Sequence, residues 1–250
     1  ENSSTNLIDK KVCVVCNDAG AANFLIHFLK NSNIANLSPF MEGPALSIWK
    51  TSFPNIPIES SLEEVVKNSE VTITGTGWMS DLEHNARVLA NNNSIKSIAV
   101  IDNWTNYRER FTRYGKEVLP DEIWVFDEYA FQIAVEEFKN IVIVLQSNFY
   151  LNQMVQSAKQ TQESRRPKLL YLTQPMRDNW GGDKEGEFQA LVFFIKNIKK
   201  IVHSSNYELV IRLHPSEVVD KYSPLLDKLN VEYKIDGNKD VNYSIGKAKW

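Results

Sequence analysis

The sequence predicts an α/β protein made of two successive units, each with a parallel sheet covered by helices on both faces. Three observations carry this. Apolar runs of strand length, such as "KVCVVC" and "SIAVI", are nearly continuous, as buried parallel strands are. They alternate with stretches whose apolar residues recur at helical spacing. The alternation is interrupted once, by "QSAKQTQESRRPK", and then resumes. At 250 residues the chain can form one large domain or two modest ones.

The first strand, "KVCVVCN", runs into Asp18-Ala-Gly-Ala-Ala and a helix in which Ala21, Phe24, Leu25, Phe28 and Leu29 share a face. "SLEEVVKNSE" reads as a short helix and "VTITGTGW" as a strand ending in glycines. "SDLEHNARVLANNN" opens with Ser80 and has Glu83 three residues on, the pattern of a capping box. Strand "SIKSIAVID" ends at Asp102; "DEIWVFDEYA" is a strand passing into helix "YAFQIAVEEFKN"; "IVIVLQSN" closes the first series. The first domain is therefore expected over residues 1–155. The tract 156–167 has almost no large apolar residue and ends in Pro167, which marks a linker. In the second domain, 168–250, "KLLYLTQP", "ELVIRLHP" and "VEYKID" read as strands, and helices "EGEFQALVFFIKNIKKIVHSS" and "DKYSPLLDKLN" lie between them. Three strands are few for a doubly wound sheet, so the second domain is expected to be incomplete at its carboxyl end.

A formal net charge of −3 argues against a dedicated nucleic-acid binder. No apolar run reaches the 18–20 residues, roughly, of a membrane span, and "ENSSTNLIDK" has no signal pattern. Cys13 and Cys16 lie within a strand pattern rather than at a helix start, which favours buried free thiols over a redox pair. The expected location is the cytoplasm. His27, His84, His203 and His214 are scattered without ligand spacing, so no metal is expected. There is no Gly-x-Ser-x-Gly elbow.

In open α/β sheets ligands bind at the carboxyl ends of strands, and polar residues gather at those positions. In "ELVIRLHPSE", Arg212 and His214 alternate on one strand face and suit a phosphate, with Pro215 ending the strand. An ion pair for Arg212 and a local hydrogen bond for His214 are the structural alternatives. In "YLTQPMRDNWGGDKEGE", Thr173 and Gln174 can hydrogen-bond and Arg177 can clamp an anion. "CNDAGAAN" has a single glycine, Gly20, so it is not a dinucleotide fingerprint. Gly75 and Gly77 leave backbone N–H groups open at a helix start, or serve packing alone. The densest polar cluster, "VIDNWTNYRERFTRYGK", places Asn106, Tyr107, Arg108 and Arg110 just after Asp102. Its aromatic rings and arginines suit a sugar with acidic or phosphate groups, or else snorkel over an amphipathic helix. Asp18, Asp102 and Glu128 compete as the general base, and Asp102 is favoured because the polar cluster surrounds it.

Two α/β units with polar strand ends, and His214-Pro215 after the second strand of the second unit, resemble glycosyltransferases of the GT-B fold, with two Rossmann-like domains. The His-Pro pair is similar to that of bacterial sialyltransferases and Kdo transferases, which use CMP-activated acidic sugars. "LHP" also occurs in polyol-phosphate transferases. The resemblance implies an inverting, metal-independent transfer to a bacterial surface glycan or glycolipid, such as capsule or lipopolysaccharide. Arg212, His214, Thr173, Gln174 and Arg177 would hold the donor phosphate. Gly20, Gly77, Asn106, Tyr107, Arg108 and Arg110 would border the acceptor. A nucleotide-sugar is then the substrate, with no separate cofactor. The lysines of "KNIKKIVH" would touch the inner face of a membrane, or only water. Two alternatives stay open: a hydrolysing UDP-sugar 2-epimerase on the same fold, and a non-catalytic binding or scaffold domain.

Overall fold

In the computed structural model, residues 6–159, 166–176, 185–203, 206–237 and 241–250 are described. The chain divides into two compact units, Glu1–Asn152 and Gln153–Trp250.

Unit 1 begins with β1 (Lys11–Cys16), whose last five residues are all buried. Helix α1 (Ala19–Lys30) follows, capped by the Asp18 carboxylate, which accepts the Ala21 N–H. Next come β2 (Asn36–Met41), α2 (Gly43–Ser52), α3 (Leu62–Lys67), β3 (Val71–Thr74), α4 (Leu82–Asn92) and β4 (Lys96–Val100). A 3₁₀ turn at Glu109–Phe111 leads to a small hairpin, β5 (Thr112–Arg113) and β6 (Lys116–Glu117). β7 (Glu122–Val125), α5 (Glu128–Glu137), β8 (Val142–Leu145) and α6 (Phe149–Lys159) complete the series. Six strands form one sheet in the order β2-β1-β3-β4-β7-β8, and every pairing is parallel.

The alternation of side chains along a strand explains the apolar run of β1. Val12, Val14 and Cys16 pack with α1 and α2, while Cys13 and Val15 pack with α3 and α4. The two cysteines therefore face opposite sides of the sheet; both are buried and free, and burial pushes both thiols well up.

Three local expectations are corrected. The segment 36–52, which carries neither a clean strand run nor a helical stripe in sequence, holds a strand and a helix. β2 carries Pro39, which a parallel sheet tolerates because β2 is an edge strand. The capping box at α4 does not form: Asp81 is the cap residue, Ser80 Oγ accepts from the Leu82 N–H, and Glu83 turns into the interior. The stretch after Asp102 is not an amphipathic helix but a 3₁₀ turn and a hairpin. Tyr114 and Gly115 sit there at φ 52° and 75°, the left-handed pair that a two-residue hairpin turn requires.

Unit 2 holds β9 (Lys168–Leu172), α7 (Gly186–Ile201), β10 (Glu208–Arg212), α8 (Ser223–Lys228), β11 (Lys234–Ile235) and α9 (Val241–Gly246). Its parallel sheet has the order β11-β10-β9. Its core comprises Leu169, Leu191, Ile198, Leu209, Ile211, Tyr222 and Leu226. The chain's last residues run beside β9, where the Leu170 N–H donates to Trp250 O (3.0 Å). The linker expected at 156–167 begins inside α6, since polar residues with scattered apolar ones also make an exposed helix.

Candidate functional site

In unit 1 the loops leaving β1, β3 and β4 meet at the carboxyl edge of the sheet. Gly20, in the first turn of α1, lies so close to the loop after β4 that a Cβ there would sit 2.0 Å from Asp102 Oδ2. It would also sit 3.1 Å from Asp18 Oδ2, so both carboxyl groups face this one spot. Gly20→Ala is expected to force the Asp102 carboxyl aside and cost about 1–3 kcal/mol by overpacking. Urea unfolding measures the cost, and an unchanged midpoint would show that the gap yields freely.

Arg110 Nη1 donates to Asp102 Oδ1 (2.9 Å) and to Thr76 Oγ1 (3.2 Å). Arg113 Nη2 donates to the Gly77 carbonyl (2.8 Å), which ties the hairpin to the loop after β3. Behind the Asn17–Asp18 turn stands Glu83, fully buried, whose Oε1 accepts the Asn17 N–H (3.0 Å). Glu83 Oε2 is buried with no hydrogen-bond partner. A Cβ on Gly77 would lie 3.0 Å from both that oxygen and Asp18 Cβ. Arg87, also buried, donates to Thr74 Oγ1 (3.1 Å) and the Gly75 carbonyl (3.0 Å).

The electrostatics follow from this crowding. Burial raises the Asp102 pKa, the neighbouring Asp18 carboxylate raises it further, and Arg110 opposes both without cancelling them. Burial likewise raises Glu83, against the Asn17 N–H and Arg87. The glycines matter here for approach, since side chains at positions 20, 75 and 77 would fill the space that the carboxyl groups occupy.

Not every expected residue reaches this edge. Tyr107 is buried in the core and its hydroxyl donates to Ala130 O (3.2 Å), so its ring is no stacking platform. Arg108 is spent on Glu117 (3.1 Å) and the Glu137 carbonyl (2.6 Å). Asn106 is exposed at φ 58° in the loop. Glu128 is exposed in the first turn of α5, while its neighbour Asp127 caps that helix and accepts the Trp104 indole N–H (3.0 Å). Trp78 and Trp104 are exposed on the loops after β3 and β4.

In unit 2 the carboxyl ends of β9 and β10 are joined by Glu217. Its Oε2 accepts from Thr173 Oγ1 and from the His214 N–H (3.0 Å); its Oε1 accepts from Lys221 Nζ (2.9 Å) and the Tyr222 hydroxyl. Lys221 also pairs with Glu187 (2.6 Å), which accepts the Met176 N–H (3.1 Å). Burial pushes the Glu217 carboxyl up, yet the hydrogen bonds from Thr173, Tyr222, Lys221 and His214 outweigh it and hold its pKa at about 2.

The His214 ring is oriented locally: Nδ1 accepts the Ser216 N–H (3.2 Å) and contacts Ser216 Oγ (2.7 Å). A neutral ring held this way carries its proton on Nε2, which then serves as a donor. Arg212 does not share that role on its strand. It pairs with Asp236 (2.7 Å) and donates to Ser244 Oγ (3.2 Å), the ion-pair alternative for this residue. Thr173 is buried under Glu217 and Gln174 is exposed beside it. Arg177, Trp180, Gly181 and Gly182 lie outside the described residues. A cavity of about 670 Å³ opens at the other end of this sheet, beside Tyr207, Tyr233 and Lys234, away from these strand ends.

Glu217, Lys221 and Asp236 are placed by contacts that sequence spacing does not announce, and Glu83, expected at the start of α4 as a cap partner, is buried instead. Glu83 and Arg87 did leave a trace: they fall in phase with Ala86 and Ala90 on the buried stripe of α4, where charges are out of place. Among the described residues, no group of three acidic, histidine or cysteine side chains is arranged to hold a metal ion. No described helix is long and apolar enough to cross a membrane.

No protein-family model matches the sequence, and no curated protein matches it either. Solved structures do match in fold. UDP-GlcNAc 2-epimerase from Neisseria meningitidis, bound to UDP-GlcNAc, aligns with 94% of this chain and 74% of its own, at a TM-score of 0.59 and 13% identity. Another UDP-N-acetylglucosamine 2-epimerase aligns with 95% of this chain and 70% of its own, at 0.57 and 10% identity. At such identities the likeness is one of fold: an α/β chain of two Rossmann-like units, GT-B-like. No sequence match supports the narrower likeness to CMP-sugar transferases.

Proposed function

We propose that this chain belongs to an enzyme acting on a nucleotide-activated sugar, with UDP ahead of CMP as the carrier and 2-epimerase-like chemistry ahead of glycosyl transfer. The observation that carries the reading is Asp102: a carboxyl group of raised pKa, paired with Arg110 and facing Asp18 at the strand ends of unit 1. Such a group binds a proton more readily than an ordinary aspartate, which suits it to proton transfer. The fold likeness to a UDP-GlcNAc-bound epimerase supports the substrate class. On this reading unit 1 handles the sugar. Unit 2 holds the nucleotide phosphate through the His214 Nε2–H, with Thr173 and Gln174 at the same edge and Arg177 reserved for the same anion. Arg212 serves indirectly, by holding Asp236 and Ser244.

Glycosyl transfer is the second reading, favoured by one feature. The exposed Trp78 and Trp104 offer aromatic faces on which a further saccharide could stack. In that case Asp102 takes the proton of the acceptor hydroxyl.

The test is incubation of the protein with UDP-GlcNAc and with a CMP-sugar, with and without glycan acceptors, followed by NMR of the products. Release of UDP together with an epimerised sugar, in the absence of acceptor, is the expected result. Turnover only with an acceptor moves glycosyl transfer ahead. Binding without turnover in every arm leaves a scaffold or binding role. Calorimetry adds a separate prediction. His214→Ala should weaken UDP binding about ten- to a hundredfold, the worth of a hydrogen bond to a charged group. Unchanged affinity would remove His214 from the phosphate site.

A further inference from the structure

The carboxyl edge of unit 1 gathers carboxyl groups against arginines. Asp18 comes from the turn after β1, Glu83 from α4, and Asp102 from the loop after β4. Facing them are Arg110 on Asp102, Arg87 behind Glu83, and Arg113 on Asp81. The free space between Asp18 and Asp102 is set by Gly20: each carboxyl group turns its Oδ2 toward the position that a Cβ would fill. The remaining oxygen of Asp102 is engaged by Arg110. The Asp18 Oδ2 also accepts the Ala21 N–H (3.1 Å), which fixes its direction. Glu83 Oε2 adds an independent sign that this edge is built around protons. It is fully buried, has no hydrogen-bond partner, and is directed at the Gly77–Asp18 contact. Two carboxyl groups converging on one partly buried spot each disfavour the other's ionised form.

We propose that Asp18 and Asp102 hold one proton between them, so that unit 1 presents an acid and a base side by side, with Glu83 as the positioning residue behind their turn. This deepens the nucleotide-sugar reading and rests on it for the identity of the substrate. The proton account balances. The ionised member takes a proton as a sugar C–H bond breaks and a C=C bond forms, or as an incoming hydroxyl forms a new C–O bond. In either case the sugar's C–O bond to the nucleotide breaks and its leaving oxygen takes the protonated member's proton. The pair starts and ends with one proton and one negative charge. Arg110 biases which member is ionised, because it touches Asp102 alone. Asp102 is open enough to be reached, its side chain being 16% exposed. Glu83 stays out of reach and holds the Asn17 N–H, so it sets the direction of Asp18 without meeting the substrate.

The test needs no substrate. Carboxyl-13C aspartate in the full chain is titrated by NMR in the wild type, in Asp18→Asn and in Asp102→Asn. Asparagine still caps a helix, so α1 survives the first change. The wild type should show two split steps, with the Asp102 step above the ordinary aspartate value of about 3.9. Asp18→Asn should lower the Asp102 step, and burial should keep it from falling all the way to the ordinary value. Arg110→Gln, which keeps both carboxyl groups, should raise it. If either asparagine variant fails to fold, the wild-type splitting and the Arg110→Gln shift still decide. Independent titration of both groups near the ordinary value, unmoved by the other's substitution, overturns the proposal. Splitting without any turnover of nucleotide-sugars would keep the dyad and sink the proposed function. Turnover without splitting would do the reverse.

Discussion

Asp102→Asn is expected to lower kcat/KM for a nucleotide-sugar by about 10²–10⁴-fold, the usual contribution of a positioned general acid or base. The folded state should barely notice. Asparagine retains an oxygen for Arg110, and the residue belongs to a loop rather than to the core. Steady-state kinetics and thermal unfolding on one preparation separate the two effects. Asp18→Asn should weaken activity in the same direction, and the double variant should lose little more than the worse single, because groups acting as a unit are not additive. Activity of Asp102→Asn within about threefold of the wild type would remove the carboxyl from the chemistry.

Glu217→Ala is expected to cost unit 2 about 3–5 kcal/mol, the range for breaking a buried charge network on one side. The side chain is 2% exposed and accepts from donors on three neighbours in sequence and on Thr173 from the next strand. Truncation leaves the Tyr222 hydroxyl without its acceptor, while the Thr173 hydroxyl falls back on the Arg212 carbonyl (3.2 Å) and Lys221 keeps Glu187. The same residue predicts an acid limb. Its folded pKa, about 2, lies below its ordinary value of 4.5, so its stabilisation is complete above the ordinary value. It is lost as pH falls toward the folded value, and amounts to roughly 3 kcal/mol at 1.36 kcal/mol per unit. Urea unfolding of unit 2 at pH 7, 4 and 2.5 measures it. Glu217→Gln should flatten that limb. A wild type equally stable from pH 7 to pH 2.5 would refute the assignment. Since Glu217 also orients the His214 backbone and Thr173, either change should weaken the phosphate grip before it unfolds the unit.

What the sequence discloses and what it hides follow from how local each signal is. β1, β3, β4, β7 and β10 are short apolar runs ending in polar residues, and both the sheets and the edge where polar residues gather could be read from them. Asp18, Gly20 and Asp102 were legible for the same reason: each lies at or just beyond a strand's end. β2 was hidden because a strand pattern broken by Pro39 looks like a loop until its edge position is known. The hairpin after Asp102 was hidden behind its arginines, although Tyr114-Gly115 carried a turn signal. Glu83 could not be assigned from its surroundings, because its partner, the Asn17 N–H, is 66 residues away. Arg212 went to Asp236, 24 residues on, a contact that strand alternation alone does not foretell. The recurrent gap is pairing over distance: a strand end announces that a polar group is present, and only the fold decides whether it meets a ligand or a neighbour.

The strand order of unit 1 bears on how the chain is made. Once β1 has paired with β2, each later strand of the large sheet joins the same advancing side, β3, β4, β7 and β8 in the order of synthesis. No strand has to be inserted between two already paired. A nascent chain can therefore consolidate this sheet from its amino end as it leaves the ribosome, each crossover, helical or the hairpin between β4 and β7, closing over the last strand added. At elongation rates of about 5–20 residues per second, the stretch carrying Asp18 and Gly20 is in place several seconds before Asp102 arrives to occupy the gap left for it.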